Sequence, residues 1–213
     1  MDLMMGTFSI LAMSKDRRLM GVAVASGSTA VGSRVPHVMP GVGVAATQAY
    51  TYVAYGTESL KLLANGLSPK QALEKLLAYD LQREMRQVAV MNFAGGKAVF
   101  TGAKAPKECG EIVGEDYVVI GNLLKSVKVL ESMAASFEKA QGNFALKLLK
   151  ALKAGSESGG DKRGEKSAAI KVVDGAEVLL SLKVDESPNP LQELMKAVSE
   201  ALIYHQKLKS ELY

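Results

Sequence analysis

Two apolar runs open the chain, Thr7-Phe8-Ser9-Ile10-Leu11-Ala12-Met13 and Leu19-Met20-Gly21-Val22-Ala23-Val24-Ala25-Ser26, and neither alternates between apolar and polar positions. The polar cluster Ser14-Lys15-Asp16-Arg17-Arg18 lies between them, so the pair reads as a β-hairpin with a surface turn. A strand with one wet face carries a polar residue at every second position. These runs do not, so the sheet they begin must be covered on both sides, and the fold needs more than two layers. At 213 residues, one domain is long enough to bury such a core.

The rest of the chain follows the same logic. Gly32 to Pro40, with Pro36 and Pro40, reads as a loop, and Val42 to Thr47 as a strand. Thr57 can cap a helix carrying Leu60, Leu62 and Leu63 and ending at Gly66, while Ser68-Pro69-Lys70-Gln71 forms a capping box ahead of Leu73, Leu76 and Leu77. Strands return at Val88–Met91, Ala98–Phe100, Ile112-Val113 and Tyr117–Ile120. Two helices follow, Ser126–Ala140 and Phe144–Ala154, with Gly142 and Gly155 as stops. The stretch Ser156–Gly164 is polar and Gly-rich; Ser167–Val173 and Val178–Val184 then form a hairpin turning at Asp174-Gly175. A last helix runs from about Pro190 to Leu208 with Leu191, Leu194, Met195, Val198 and Leu202 on one stripe. Runs of strands alternating with pairs of helices predict an α+β fold of antiparallel sheets stacked as α/β/β/α. No repeat or linker divides the chain, so residues 1–213 are expected to form one domain.

Composition excludes several functions. A net charge of +4, evenly spread, argues against nucleic acid or an anionic membrane as partner. Aromatic residues make up 6% and Trp is absent, which leaves few stacking platforms for single strands. One cysteine, Cys109, and two histidines, His37 and His205, cannot build a tetrahedral zinc site of nitrogen and sulfur ligands. No metal and no cofactor are expected. Met1 to Met5 lacks the basic segment and long apolar run of a signal peptide, and no spanning segment follows, so a cytoplasmic protein is expected.

The residue of most chemical interest is Thr7, because it follows Gly6 and heads the first strand. Hydrolysis of the bond before it would place an α-amine beside its own hydroxyl. Such an amine has a pKa of about 8 and can act as base for that hydroxyl, so no histidine is needed. Thr7 is equally a β-branched residue suited to starting a strand.

Read together, Thr7-Phe8-Ser9-Ile10, Gly21 to Ser26, Ala30-Val31-Gly32-Ser33-Arg34-Val35-Pro36, Gly41 to Ala49, Tyr55-Gly56, Arg86-Gln87-Val88, Gly121-Asn122 and Gly159-Gly160-Asp161-Lys162-Arg163-Gly164-Glu165-Lys166-Ser167-Ala168-Ala169 resemble the family known as domain of unknown function 1028. The resemblance runs from Thr7 to about Leu194. It implies membership of the N-terminal-nucleophile hydrolases, a four-layer α/β/β/α sandwich, and a nucleophile heading the first strand. The Gly6-Thr7 junction is similar to the one at which proteasome-like members cut themselves, which makes residues 1–6 a possible leader. The chain departs from the family pattern in carrying that leader and in Ile120, where Gln is expected.

The resemblance implies an amide-bond hydrolase working by acyl transfer through Thr7. The alternative is an inactive member of the same fold that binds a small metabolite or peptide. Arg34 falls where proteasome-like enzymes place a lysine; it would hold down the amine pKa or bind a substrate carboxylate, or else pair with a surface carboxylate. Asp161 would orient the amine and Arg163 hold an anionic group, in a loop whose glycines leave N–H groups free for an anion or simply make a flexible connector. Asn122 would donate to an oxyanion or serve a turn. Gln48 would bond in the pocket or cap the sheet, and Ser167 would contact substrate. The expected partners are a small-molecule or peptide substrate and further copies of the chain as a homo-oligomer. His37 is expected in a loop, His205 on the wet face of the last helix, Cys109 as a partly exposed thiol, and the Lys147, Lys150, Lys153 row as a solvated helix face.

Overall fold

A computed structural model describes residues 6–211, and their side chains as far as Tyr204. Each early apolar run forms a seven-residue strand buried throughout, β1 (Thr7–Met13) and β2 (Met20–Ser26). They pair antiparallel from Met13 opposite Met20 to Thr7 opposite Ser26. Then come β3 (Pro36–Met39), β4 (Gly43–Ala49), α1 (Ala54–Ala64), α2 (Pro69–Tyr79), β5 (Arg86–Asn92), β6 (Lys97–Thr101), β7 (Gly110–Val113) and β8 (Tyr117–Asn122). The chain ends with α3 (Lys128–Lys139), α4 (Phe144–Glu157), β9 (Ser167–Val173), β10 (Val178–Val184) and α5 (Pro190–Glu211).

The strands form two antiparallel sheets, ordered β10-β9-β2-β1-β8-β7 and β3-β4-β5-β6. Three apolar clusters define four layers. Phe8 and Ile10 of β1 pack on Met133 of α3, Leu148 and Leu152 of α4 and Leu194 of α5. On the opposite face of β1, Leu11 and Met13 meet Val44, Ala46 and Met91 of the second sheet. The far side of that sheet, through Val88 and Val90, packs on Tyr55, Leu60 and Leu73 of α1 and α2. The α/β/β/α sandwich is therefore a consequence of strands that are apolar on both faces.

Several local expectations are corrected. Pro36–Met39 is a strand, not loop, and it lies at a sheet edge with Pro36 as its first residue, where a missing N–H costs nothing. His37 thus sits on a strand. Helix α1 starts at Ala54 rather than at Thr57, whose hydroxyl points back to the Ala54 carbonyl; turn bonds from Tyr55 N to Tyr52 O and Gly56 N to Val53 O wind it up earlier. Gly155 does not stop α4. It is buried within the helix, where a Cβ would stand 2.7 Å from Met133 Cγ, so it serves close packing. The last hairpin turns over four residues, Asp174 to Glu177, because Asp174 Oδ1 accepts from both Ala176 N and Glu177 N. The capping box at Ser68 and Gln71 forms as expected. His205 falls outside the described side chains.

Candidate active site

The register of the first sheet brings one row of polar residues to the same end of four neighbouring strands. Thr7 is opposite Asn122 on one side and Ser26 on the other, and Ser26 is opposite Ser167. All four are buried, and their side chains lie on the inner face, continuing the positions of Leu11, Ile120, Val24 and Ala169. The strand pleat therefore places a hydroxyl row at the rim of the space between the two sheets.

The carbonyl oxygen of Gly6 is the centre of this row. Thr7 Oγ1 lies 2.6 Å from it, Ser26 Oγ donates to it at 2.6 Å, and Arg163 Nη2 donates at 3.1 Å. Thr7 Oγ1 is also 3.2 Å from Ser26 Oγ. Arg163 is held in place by Asp161, which takes its Nε at 3.0 Å on one oxygen and its Nη2 at 2.8 Å on the other. That is side-on, bidentate pairing of a guanidinium with a carboxylate. The Asp161 carboxylate also accepts from Gly27 N and Arg163 N. Its negative charge is saturated by these four bonds, which is how a carboxylate survives with only 1% of its surface exposed.

The glycines matter here for close approach. A Cβ on Gly6 would fall inside the Asp161 carboxylate, and one on Gly27 would stand 2.9 Å from the Asp161 carboxyl carbon. The segment from Ser158 to Lys166 is no flexible connector. Gly159, Gly160 and Gly164 take left-handed backbone, and Gly160 N, Lys125 N, Lys162 N and Lys166 N are bonded to Gly155 O, Gly160 O, Leu123 O and Ser26 O. The anion this loop cradles is its own Asp161.

The second sheet supplies a polar support beneath. Gln48 accepts from Ser9 Oγ at 2.6 Å and donates to the Thr7 carbonyl at 3.2 Å and to Gln87 Oε1 at 2.8 Å. Gln87 donates to Gly121 O at 3.0 Å, and Asn122 Nδ2 donates to Gln87 Oε1 at 3.1 Å. Asn122 Oδ1 is buried without a partner. Ala49 and Leu123, which directly follow Gln48 and Asn122, and Ala30 are left-handed without being glycine, each costing about 1 kcal/mol or more.

Of the residues expected at a site, Thr7, Asp161, Arg163, Gln48 and Asn122 lie together around one sheet end. Other expectations differ from the structure. The Asn122 amide faces Gln87 rather than the Gly6 carbonyl. Ser167 Oγ donates to Ser28 O and accepts from Val31 N, so it holds the loop after β2. Arg34 touches neither Thr7 nor any carboxylate among the described residues. Ser26, Gly27 and Gln87 were missed as site residues. Ser26 was legible in principle, since two equal strands joined by a short turn put their outer ends opposite each other. Burial, and then the charge of Glu111, push the Cys109 thiol up, which disfavours the reactive thiolate. Among the described residues no group of three or more His, Cys, Asp or Glu side chains is placed to hold a metal ion, and no helix is long and apolar enough to cross a membrane.

The four-layer stack of antiparallel sheets is the sandwich expected from the sequence, with Thr7 at the head of an inner strand. The chain belongs to the family of unknown function DUF1028, whose profile matches residues 7–194. A Silicibacter pomeroyi protein of that family, known from its crystal structure, is 32% identical with a TM-score of 0.87, covering 92% of this chain and 86% of its own. Anbu, the ancestral β-subunit from Yersinia bercovieri, is 10% identical with a TM-score of 0.43 over 94% of this chain and 96% of that one. No functionally curated protein is similar to the chain at a significant level.

Proposed function

We propose that this chain is a self-processing amide hydrolase in which Thr7 first cuts the Gly6–Thr7 bond and then acts as an N-terminal nucleophile on a small-molecule or peptide amide. The observation that carries the reading is the Gly6 carbonyl oxygen, set 2.6 Å from Thr7 Oγ1 and bonded by Ser26 Oγ at 2.6 Å and Arg163 Nη2 at 3.1 Å. Attack of Oγ1 on the Gly6 carbonyl carbon closes a five-membered ring through Thr7 Cβ, Cα and N. The Ser26 hydroxyl and the Arg163 guanidinium then face the oxygen on which negative charge develops, and preorganised donors of this kind are worth about 3 kcal/mol each. The hydroxyl proton is transferred to the Thr7 nitrogen, the carbon–nitrogen bond breaks, and an ester to Oγ1 results. Water hydrolyses that ester, releasing a chain that ends in the Gly6 carboxylate and one that begins at Thr7.

The freed amine, with an ordinary pKa of about 8, takes the Oγ1 proton in each later turnover. The acyl group of a substrate amide passes to Oγ1, the amine half leaves with that proton, and water returns the acid. Gln48, through the Thr7 carbonyl, and Asn122, through Gln87 and its place opposite Thr7, keep the strand end in register for this chemistry.

One observation favours a binding protein instead: Thr7 is only 1% exposed, and its hydroxyl is already engaged by Gly6. Intact mass over prolonged incubation separates the two. Loss of Met1 to Gly6 from the wild type and its retention in Thr7→Ala supports the hydrolase; a wild-type chain that stays full-length and cleaves no amide supports the binder.

A further inference from the structure

Arg34 follows the short 3-10 turn Val31–Ser33 and stands close enough to Arg163 to feel its charge. Its Nη1 donates to Thr29 O at 2.5 Å, and Arg163 Nη1 reaches the preceding residue, Ser28, at 3.3 Å, so the two guanidiniums hold the same loop. The other edge of Arg34 is empty: Nε and Nη2 are buried and have no hydrogen-bond partner. Asp161, the buried acid of the site, is already engaged by Gly27 and Arg163. Burial and the like charge of Arg163 both push the Arg34 guanidinium below its usual range, and no acid compensates them. A half-buried cation with two unmet donors and a cationic neighbour is costly to maintain for folding alone.

The geometry of the two unmet donors is specific. Nε–H and Nη2–H point in parallel along one side of the guanidinium, the pair that grips both oxygens of a carboxylate. Arg163 uses this same edge on Asp161. We propose that Arg34 is the carboxylate-binding residue of the site, so that the substrate is an amide that also carries a free carboxylate. The assignment to a substrate rests on the hydrolase reading; the binding of a carboxylate does not. The two donors lack contact with water, so the ligand enters by displacing a neighbour. The Ser28–Ala30 turn, tied to Arg34 through Thr29 and held left-handed at Ala30, is the segment to yield.

The test is isothermal titration of the full chain with glutarate, with its dimethyl ester and with inorganic phosphate. Glutarate is expected to bind wild type and Thr7→Ala equally, the ester not at all, and phosphate more weakly. Arg34→Gln should weaken glutarate by about 10- to 100-fold, the loss of one charge-assisted bidentate contact, and Arg34→Lys by less. Arg34→Gln removes an uncompensated charge and also the bond to Thr29 O, so its thermal midpoint without ligand should stay near the wild type. Equal glutarate binding by Arg34→Gln, absence of glutarate binding, or tighter phosphate binding overturns the proposal. An uncleaved wild type that still binds glutarate through Arg34 would remove the hydrolase reading and leave this site standing.

Discussion

Ser26 stands directly across from Thr7 in the β1–β2 ladder, and its hydroxyl lies 2.6 Å from the Gly6 carbonyl oxygen that Thr7 Oγ1 also touches. The strand pairing that builds the core therefore also delivers a donor to the Gly6–Thr7 bond. Removing that donor should matter far more for chemistry than for folding. Ser26→Ala is expected to slow release of residues 1–6 by about 10²- to 10³-fold, followed by mass spectrometry. Stability should fall by only about 1 kcal/mol, from the lost bonds to Gly6 O and from Ser28 N. Unchanged cleavage would show that Ser26 is not a donor to the developing oxyanion.

Gly6 presses its α-carbon against Asp161 so closely that a side chain cannot be added without moving one of them. Since Asp161 is fixed by four hydrogen bonds, the segment before Thr7 is the part that would shift. Gly6→Ala should therefore retain the leader much longer than wild type while folding with a nearly unchanged thermal midpoint. A chain expressed to begin at Thr7 should be indifferent, having no Gly6. Normal processing of Gly6→Ala would mean that this contact does not position the bond.

Asp161 and Arg163 form a pair in which the acid is wholly buried and the arginine one-third exposed. Asp161→Asn keeps the size but removes the charge and presents an amide N–H where Gly27 N, Arg163 Nε and Arg163 Nη2 all need acceptors. A loss of about 3 kcal/mol follows, discounted for the partly wet arginine, and for a chain of this length that lowers the midpoint by roughly 10 °C. Arg163→Gln should cost less, and the double variant little more than Asp161→Asn alone. Strict additivity in calorimetry would show that the two do not act as one unit.

Much of the architecture was legible because it depends on periodicity. Strands without alternation at Thr7–Met13 and Met20–Ser26 forced a doubly covered sheet, and the capping box at Ser68 and Gln71 marked its helix to the residue. What escaped was decided by contacts across the stack. Gln87 faces Gln48 across the β4–β5 ladder but also holds Asn122 of the other sheet, and that second meeting depends on how one sheet sits on the other. Gly155 reads as a helix stop in a local window, and only the approach of Met133 explains why α4 continues through it. Pro36 suggested a loop because edge strands carry the same local signal as turns. The empty edge of Arg34 could not be read at all, since sequence does not record that Asp161 has been claimed by Arg163.

His37 gives the fold a pH response. Its ring packs over Gly56, with Nε2 3.1 Å from the Arg34 carbonyl. Burial is the main influence and lowers the ring's pKa; the bond to Arg34 O opposes it, and the charge of Lys171, anchored on Pro36 O, adds to the lowering. The folded chain thus resists protonation more than the unfolded chain, whose histidine titrates near 6.5. With the folded pKa depressed, the unfolded state binds more protons as pH falls below about 6.5, so stability is full above that value and declines through the folded pKa. Denaturant titrations at pH 7.5, 6.5 and 5.5 should show the decline in wild type and in His205→Asn. His37→Asn should be less stable throughout, having lost the ring on Gly56, yet flatter between pH 6.5 and 5.5. If its slope equals the wild type's, the titrating group lies elsewhere and the buried ring is silent.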